Sequence, residues 1–168
     1  KCVFKGSFLD VRKDKVIFPS GSKRTREWIN HPGAVCCIPV LENGDICLIK
    51  QYRYAIKKYV IELPAGKLEI GETPIDCAMR ELEEEIGFEA KKIRFLTMFY
   101  PAVGFVNEEM HLFLAEDLKK TNTNTAGTIT TKEMQQNTID RSNRSLDRYR
   151  FSVEVDDTEK VMACCVLL

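Results

Sequence analysis

Residues 65–88 read AGKLEIGETPIDCAMRELEEEIGF, and four of the five residues from Glu81 to Glu85 are carboxylates. The 25 basic and 25 acidic residues of the 168-residue chain balance, so this is a local concentration of charge. A helix accounts for the spacing. Thr73 suits an N-cap, Pro74 the first helical position, and Gly87 a left-handed stop. Ile75, Met79, Leu82 and Ile86 recur at i, i+4, i+7 and i+11, an apolar stripe predicted to face the core. At about 100° per residue, Glu81 and Glu85 lie about 40° apart on another face, with Glu84 beside them. Glu83 points elsewhere, to solvent. Like charges one turn apart repel, and Arg80, four residues before Glu84, offsets only part of that repulsion. A solvated helix face is one reading of this cluster. A site for a hard divalent cation, which takes oxygen ligands, is the other.

Strands surround the helix. YVIELPAG (59–66) reads as a strand ending at Pro64 and Gly66, and KIRFLTMFY (92–100) and EMHLFLAED (109–117) as two more around a Pro101–Gly104 loop. AVCCIPVL (34–41) and DICLIKQYR (45–53) flank Asn43-Gly44, the strongest short hairpin signal in the chain. Residues 3–30 are predicted to form a β-hairpin region around Pro19-Ser20-Gly21-Ser22. Beyond residue 118 the pattern weakens. KKTNTNTAGTITT is low-complexity sequence, expected to be a mobile loop. A weakly helical piece near 131–147, a strand at YRFSVEV and an apolar run at VMACCVLL follow it. Many strands with one strong internal helix predict a mixed α+β domain.

Composition excludes several classes. A length of 168 residues suits one domain with a real core. The balanced charge offers no broad attraction to nucleic acid or anionic membrane, and no apolar run approaches the ~20 residues of a membrane span. Seven cysteines without CxxC spacing, and only His31 and His111, argue against zinc. Cysteines inside apolar runs read as buried small hydrophobes, and their odd, unpatterned count fits a reducing compartment. The N-terminus lacks a signal-peptide core, so this chain is read as cytoplasmic.

The neighbours of the acidic cluster decide between its two readings. From Gly66 the chain runs five residues to Glu72, seven more, and then Arg80-Glu81-Leu82-Glu83-Glu84-Glu85-Ile86-Gly87-Phe88. This resembles the Nudix box, G-x5-E-x7-R-E-U-x-E-E-x-G-U with U apolar, at every position. From average residue usage, a chance match is on the order of 10⁻⁸. Each position has a physical task. Gly66 and Gly87 allow the turns that enter and leave the helix, Glu72 pairs with Arg80, and Leu82, Ile86 and Phe88 supply core contacts. The resemblance implies a Nudix fold, an α/β/α sandwich on a mixed sheet. It implies hydrolysis of a nucleoside diphosphate linked to another moiety, with Arg80, Glu81, Glu84 and Glu85 as the catalytic set. It further implies Mg²⁺, with Mn²⁺ as an alternative, held by Glu81, Glu84, Glu85 and the backbone carbonyl of Ala65. On this resemblance residues 33–168 form the hydrolase domain, with 118–148 as the uncertain loop. Residues 1–32 form an N-terminal β-hairpin region of the kind that relatives exchange in a homodimer.

The surroundings resemble the ADP-ribose pyrophosphatase branch, in TREWINHPGAV, IKQYRYA, ELPAGKLE and FYPAVGFVNEEMHLFLAEDL. That likeness covers about residues 4–118 and implies that ADP-ribose is split to AMP and ribose 5-phosphate. A UDP-sugar, NADH or a dinucleoside polyphosphate as substrate, and a non-catalytic nucleotide-binding module, are the alternatives. By resemblance Arg53 reaches the substrate phosphates; a strand-end surface arginine is the other reading. Arg26 and Glu27 match positions that contact adenine in relatives, including from the partner subunit, while a plain cross-strand ion pair is equally open. Gly104 lies where the branch carries a proline-glycine loop beside the terminal ribose, although here Ala102 and Val103 separate it from Pro101. Glu108 is read either as positioning metal or ribose or as a rim carboxylate. His111 reads as a strand residue and His31 as a turn residue. The water-activating base of the branch has no aligned counterpart; Glu133, Glu154 and Glu159 are its candidates.

Overall fold

The structure is a computed structural model and describes residues 1–123 and 128–130. Strands β1 (Cys2–Lys5), β2 (Asp10–Ile17) and β3 (Lys23–Ile29) form an antiparallel N-terminal sheet in the order β1-β2-β3. Between β2 and β3 the chain turns at Gly21, whose φ of 79° suits glycine, and Phe18 N–H donates to Ser22 O at 2.9 Å.

Two further sheets carry the core. One has the order β7-β4-β9-β8, from β4 (Ala34–Pro39), β7 (Ala65–Lys67), β8 (Phe88–Phe99) and β9 (Met110–Lys120). Within it β4 and β9 run parallel and the other pairs antiparallel. The other has the order β10-β5-β6, from β5 (Cys47–Arg53), β6 (Lys58–Glu62) and β10 (Thr128–Thr130). β10 falls inside the stretch expected to be a loop, and pairs antiparallel with β5. The later expectations lie outside the described residues: the helical piece near 131–147, YRFSVEV, VMACCVLL, and Glu133, Glu154 and Glu159.

The Asn-Gly signal produces a turn without a ladder. Gly44 has φ 82°, and Leu41 N–H donates to Asp45 O at 2.9 Å. Only the bridge Val40↔Ile46 joins the two arms before β4 and β5 part into separate sheets. Burial explains the parting. Val35 and Cys37 of β4, Cys47 and Ile49 of β5, and Phe113 and Ala115 of β9 pack with Cys77, Ala78, Leu82 and Ile86 of the helical segment. The alternate residues Ile38, Ile46, Leu48, Leu112 and Leu114 form a second cluster. Period-two alternation thus sends one strand's side chains into two cores, and both of its faces are apolar.

Helix α1 spans Pro74–Glu81. Thr73 is its N-cap, accepting the Asp76 N–H at 3.3 Å, and Pro74 opens it as expected. The α-helix does not run through the acidic cluster: Leu82–Ile86 forms a π-helical turn closed by Gly87 at φ 71°. A π turn carries one more residue per hydrogen-bonded ring, which rotates Glu84 and Glu85 away from their α-helical positions. The buried side is also not the expected stripe. Ile75 and Met79 are 42% and 41% exposed, whereas Cys77, Ala78, Glu81, Leu82 and Ile86 are buried. Small residues at 77 and 78 let the helix sit close on β4 and leave Ile75 and Met79 on its outer side.

Candidate active site

The site forms where the helical segment meets β7. Gly66 lies within this strand without a positive φ, and Gly71, at φ 82°, supplies the turn before the helix instead. The expectation of Gly66 as a turn residue is therefore corrected. A Cβ at position 66 would stand 1.8 Å from the Glu81 carboxyl carbon, so the missing side chain is what admits Glu81. Among the described residues Glu81 is the one buried charged side chain, at 9% exposure.

Arg80 organises the carboxylates. Its Nε and Nη2 donate to Glu72 at 2.8 and 3.0 Å, and its Nη1 donates to Glu81 at 2.7 Å and Glu84 at 3.0 Å. Nη2 also reaches Lys67 O and Cys77 Sγ, each at 3.3 Å. The Glu72–Arg80 pair read from the eight-residue spacing is thus present and ties the loop to the helix. Glu85 lies outside this network and accepts the Ala65 N–H at 2.9 Å. Burial pushes the Glu85 carboxyl above its ordinary value and the Glu81 charge adds to this, while the Ala65 N–H and Arg53 oppose it. Glu83 is exposed, as expected, and accepts a hydrogen bond from Thr123 Oγ1 at 3.3 Å.

Arg53 ends β5 and donates from Nε to both Glu62 oxygens, at 3.0 and 2.9 Å, and from Nη2 to Glu62 Oε2. Both residues couple electrostatically to Glu85, which places them at the edge of the acidic cluster. Glu27 and Arg26 stand elsewhere. Glu27 accepts from Lys13, directly opposite on β2, at 2.7 Å, which is the cross-strand ion pair held open above. Arg26 stacks 5.4 Å from the Phe18 ring centroid. Gly104 sits in an exposed loop with nothing within 4 Å of where a Cβ would be. Glu108 Oε1 lies 3.8 Å from His31 Nδ1. The loop holding Gly104 and Glu108 is tied to the N-terminal sheet by Ile29 N–H donating to Phe105 O at 2.7 Å. His111 and Tyr100 both face Glu109, Tyr100 Oη donating to it at 3.0 Å. Cys37, Cys47 and Cys77 are buried as small apolar side chains.

A family model described as the NUDIX domain matches residues 30–142. The chain belongs to the NUDIX family. ADP-ribose pyrophosphatase of Bacillus subtilis (strain 168) is 45% identical over 116 residues, which is 69% of this chain and 63% of that protein. Methanol dehydrogenase activator of Bacillus methanolicus is 41% identical over 118 residues, 70% of this chain and 64% of that one. The chain therefore spans less than two thirds of the length of either relative. A solved ADP compounds hydrolase superposes with a TM-score of 0.70 at 21% identity, over 85% of this chain and 80% of its own, which shows the fold. The α+β NUDIX fold expected from the sequence is the one found. One helical layer lies among the described residues, and the second layer of the expected sandwich does not.

Within this NUDIX domain, Glu62 and the Ala65 N–H were not legible beforehand. The turn between β5 and β6 (Tyr54-Ala55-Ile56-Lys57) has no Gly, Pro, Asn or Asp to announce its register, and Lys57 takes φ 54° there. Without that register Glu62 cannot be placed beside Arg53.

The Glu72–Arg80 bond has a measurable signature. Its two hydrogen bonds from Arg80, joined by the Glu69 N–H, pull the Glu72 carboxyl from 4.5 down to about 2. A carboxylate depressed on folding stabilises fully above its unfolded pKa, and that stability is lost as pH falls through the folded value. The Tm gap between wild type and Glu72→Gln is therefore expected to hold steady above about pH 5 and to close as pH falls toward about 2. A gap unchanged across that window would show that Glu72 is not held as an anion.

Proposed function

We propose that the chain is a Mg²⁺-dependent hydrolase that splits the diphosphate of ADP-ribose into AMP and ribose 5-phosphate. The observation that carries this reading is the gathering of Glu81 and Glu85 against β7, with Arg80 the one cation among the described residues that bonds within the cluster. The donors are all hard oxygens, which suits Mg²⁺ or Mn²⁺. Burial and the Glu81 charge raise the Glu85 carboxyl, so its ionised form gains from a nearby cation. Among the described residues no three His, Cys, Asp or Glu side chains converge closely enough to hold an ion alone. The set fits a cation whose remaining ligands are the Ala65 carbonyl, water and substrate phosphate oxygens, as is usual for Mg²⁺. Bound there, the ion supplies Lewis-acid polarisation of the diphosphate and a more acidic water.

The protein's own part is placement. Glu81 and Glu85 hold the charge, Arg80 positions Glu81 and Glu84, and Arg53 meets the phosphates through its guanidinium fork. Gly104 and Glu108 lie on the loop assigned to the terminal ribose. Arg26 and Glu27 approach the adenine from the partner of a homodimer. Exposed apolar residues of the N-terminal sheet, Val3, Phe4 and Ile17, support such pairing. No helix among the described residues is long and apolar enough to cross a membrane. The odd, unpatterned cysteine count supports placing the protein in the reducing cytoplasm.

Incubation with ADP-ribose and Mg²⁺ is expected to release AMP, and kcat/KM is expected to rank ADP-ribose above NADH, a UDP-sugar and a dinucleoside polyphosphate. No AMP from ADP-ribose, or a higher kcat/KM for another member of that panel, would overturn the substrate. Tight ADP-ribose binding without turnover in either metal would overturn the enzyme.

A further inference from the structure

We propose that Glu62 is a positioning residue that holds Arg53 toward the diphosphate and away from the metal-binding carboxylates. The inference rests on the reading of the site as a diphosphate binder. The direct cross-strand neighbour of Arg53 is Lys58, whereas Glu62 stands opposite Ile49, four residues back along β5. At about 3.3 Å per residue this is roughly 13 Å of strand. Both long side chains must therefore fold toward each other along the sheet for the bond to form. Ile49 and Arg53, separated by an even number of residues, share one face of β5. Ile49 packs with Cys77, Leu82 and Ile86 of the helical segment, so this face is turned toward the acidic cluster. The pair thus folds a hairpin-end arginine back along the sheet toward the acidic cluster while leaving its side chain 48% exposed.

The bond also leaves the right donors. Glu62 takes the Nε edge and one Nη2 contact. Of the five N–H groups of a guanidinium, both on Nη1 and one on Nη2 stay available to an anion. Glu62 has a second effect through charge. Without it, Arg53 would be left with Glu85, the other carboxylate whose charge reaches it, and would offset charge that a dication requires. A carboxylate dedicated to Arg53 keeps the substrate's cation and the metal's anions apart.

A double-mutant cycle tests this. Pyrophosphate binding in Mg²⁺ is measured by calorimetry for wild type, Arg53→Ala, Glu62→Ala and the double variant, with ADP-ribose kinetics and melting curves beside it. Glu62→Ala is expected to weaken pyrophosphate binding and to raise KM by about tenfold, as for a lost charge-assisted hydrogen bond. Its kcat should change less, and Arg53→Ala should cost at least as much affinity. The double variant should bind no worse than Arg53→Ala alone, because Glu62 acts through Arg53. Independent effects that multiply in the double variant would overturn the inference. If Glu62→Ala does not fold, Glu62→Gln takes its place in the cycle, keeping the shape and losing the charge. Coupled pyrophosphate binding in a protein that forms no AMP from ADP-ribose would uphold the inference and overturn only the substrate. A wild type that binds no pyrophosphate would overturn the inference, while release of AMP from ADP-ribose would leave the substrate standing.

Discussion

Glu85→Gln is expected to leave a folded protein whose hydrolysis of ADP-ribose has fallen by roughly 10³-fold, mostly in kcat, as when a transition-state-stabilising group is removed. A glutamine at 85 keeps an oxygen that can accept the Ala65 N–H, so the contact between helical segment and strand survives. What it removes is a negative charge that burial disfavours, with Glu81 adding to the strain. The sign of the stability effect follows. A carboxyl raised on folding lowers stability as pH rises above its unfolded value, because the unfolded chain ionises first. In a chelator near neutral pH, Glu85→Gln is therefore expected to melt no lower than wild type. The increase in Tm that Mg²⁺ gives the wild type should shrink or vanish in the variant. Glu83→Gln, altering an exposed carboxylate of the same turn, is the control and should keep wild-type rates. Wild-type kcat in Glu85→Gln would remove this residue from the site.

Gly66→Ala is expected to damage both stability and activity, through one added carbon. That carbon would overlap the Glu81 carboxylate at 1.8 Å, a contact no rotation at residue 66 relieves. Either β7 withdraws from β4, or Glu81 leaves its buried position and breaks its bond to Arg80. Overpacking of this kind costs about 1–3 kcal/mol, and displacing Glu81 should lower kcat by roughly 10²-fold. Thermal melting and ADP-ribose kinetics of the same preparation separate the two losses. Gly71→Ala provides the contrast: its Cβ meets nothing within 4 Å, but its φ of 82° is strained for alanine. It should lower Tm while sparing kcat. A Gly66→Ala protein with unchanged Tm and kcat would show that β7 and Glu81 do not approach so closely.

Much of this site was legible because its residues are close in sequence and tied to one helix. Thr73, Pro74 and Gly87 mark the helical segment, and the spacing of Glu72 and Arg80 forecasts their bond. What escaped was long-range. Gly66 was read as the turn that leads into the helix, and its actual task depends on a carboxylate fifteen positions later. The π turn has no marker in an apolar-polar pattern, since Leu82 and Ile86 are buried in either winding. Met79 was misplaced because periodicity assumes that the apolar stripe faces inward, and the small side chains of Cys77 and Ala78 made a closer seat. Pairing partners across unmarked turns, Glu62 above all, require the tertiary structure.

The parting of β4 and β5 after a single bridge has a mechanical consequence. Arg53 belongs to one sheet, while the strand that seats Glu81 and Glu85 belongs to the other. Among the described residues no ladder ties the two sides, so the separation of Arg53 from these carboxylates depends on the layer between them, where Cys47 and Ile49 meet Leu82 and Ile86. Those four side chains act as a spacer. Their bulk sets how far Arg53 stands from the carboxylates of Glu81 and Glu85, and trimming it would bring the two sheets together.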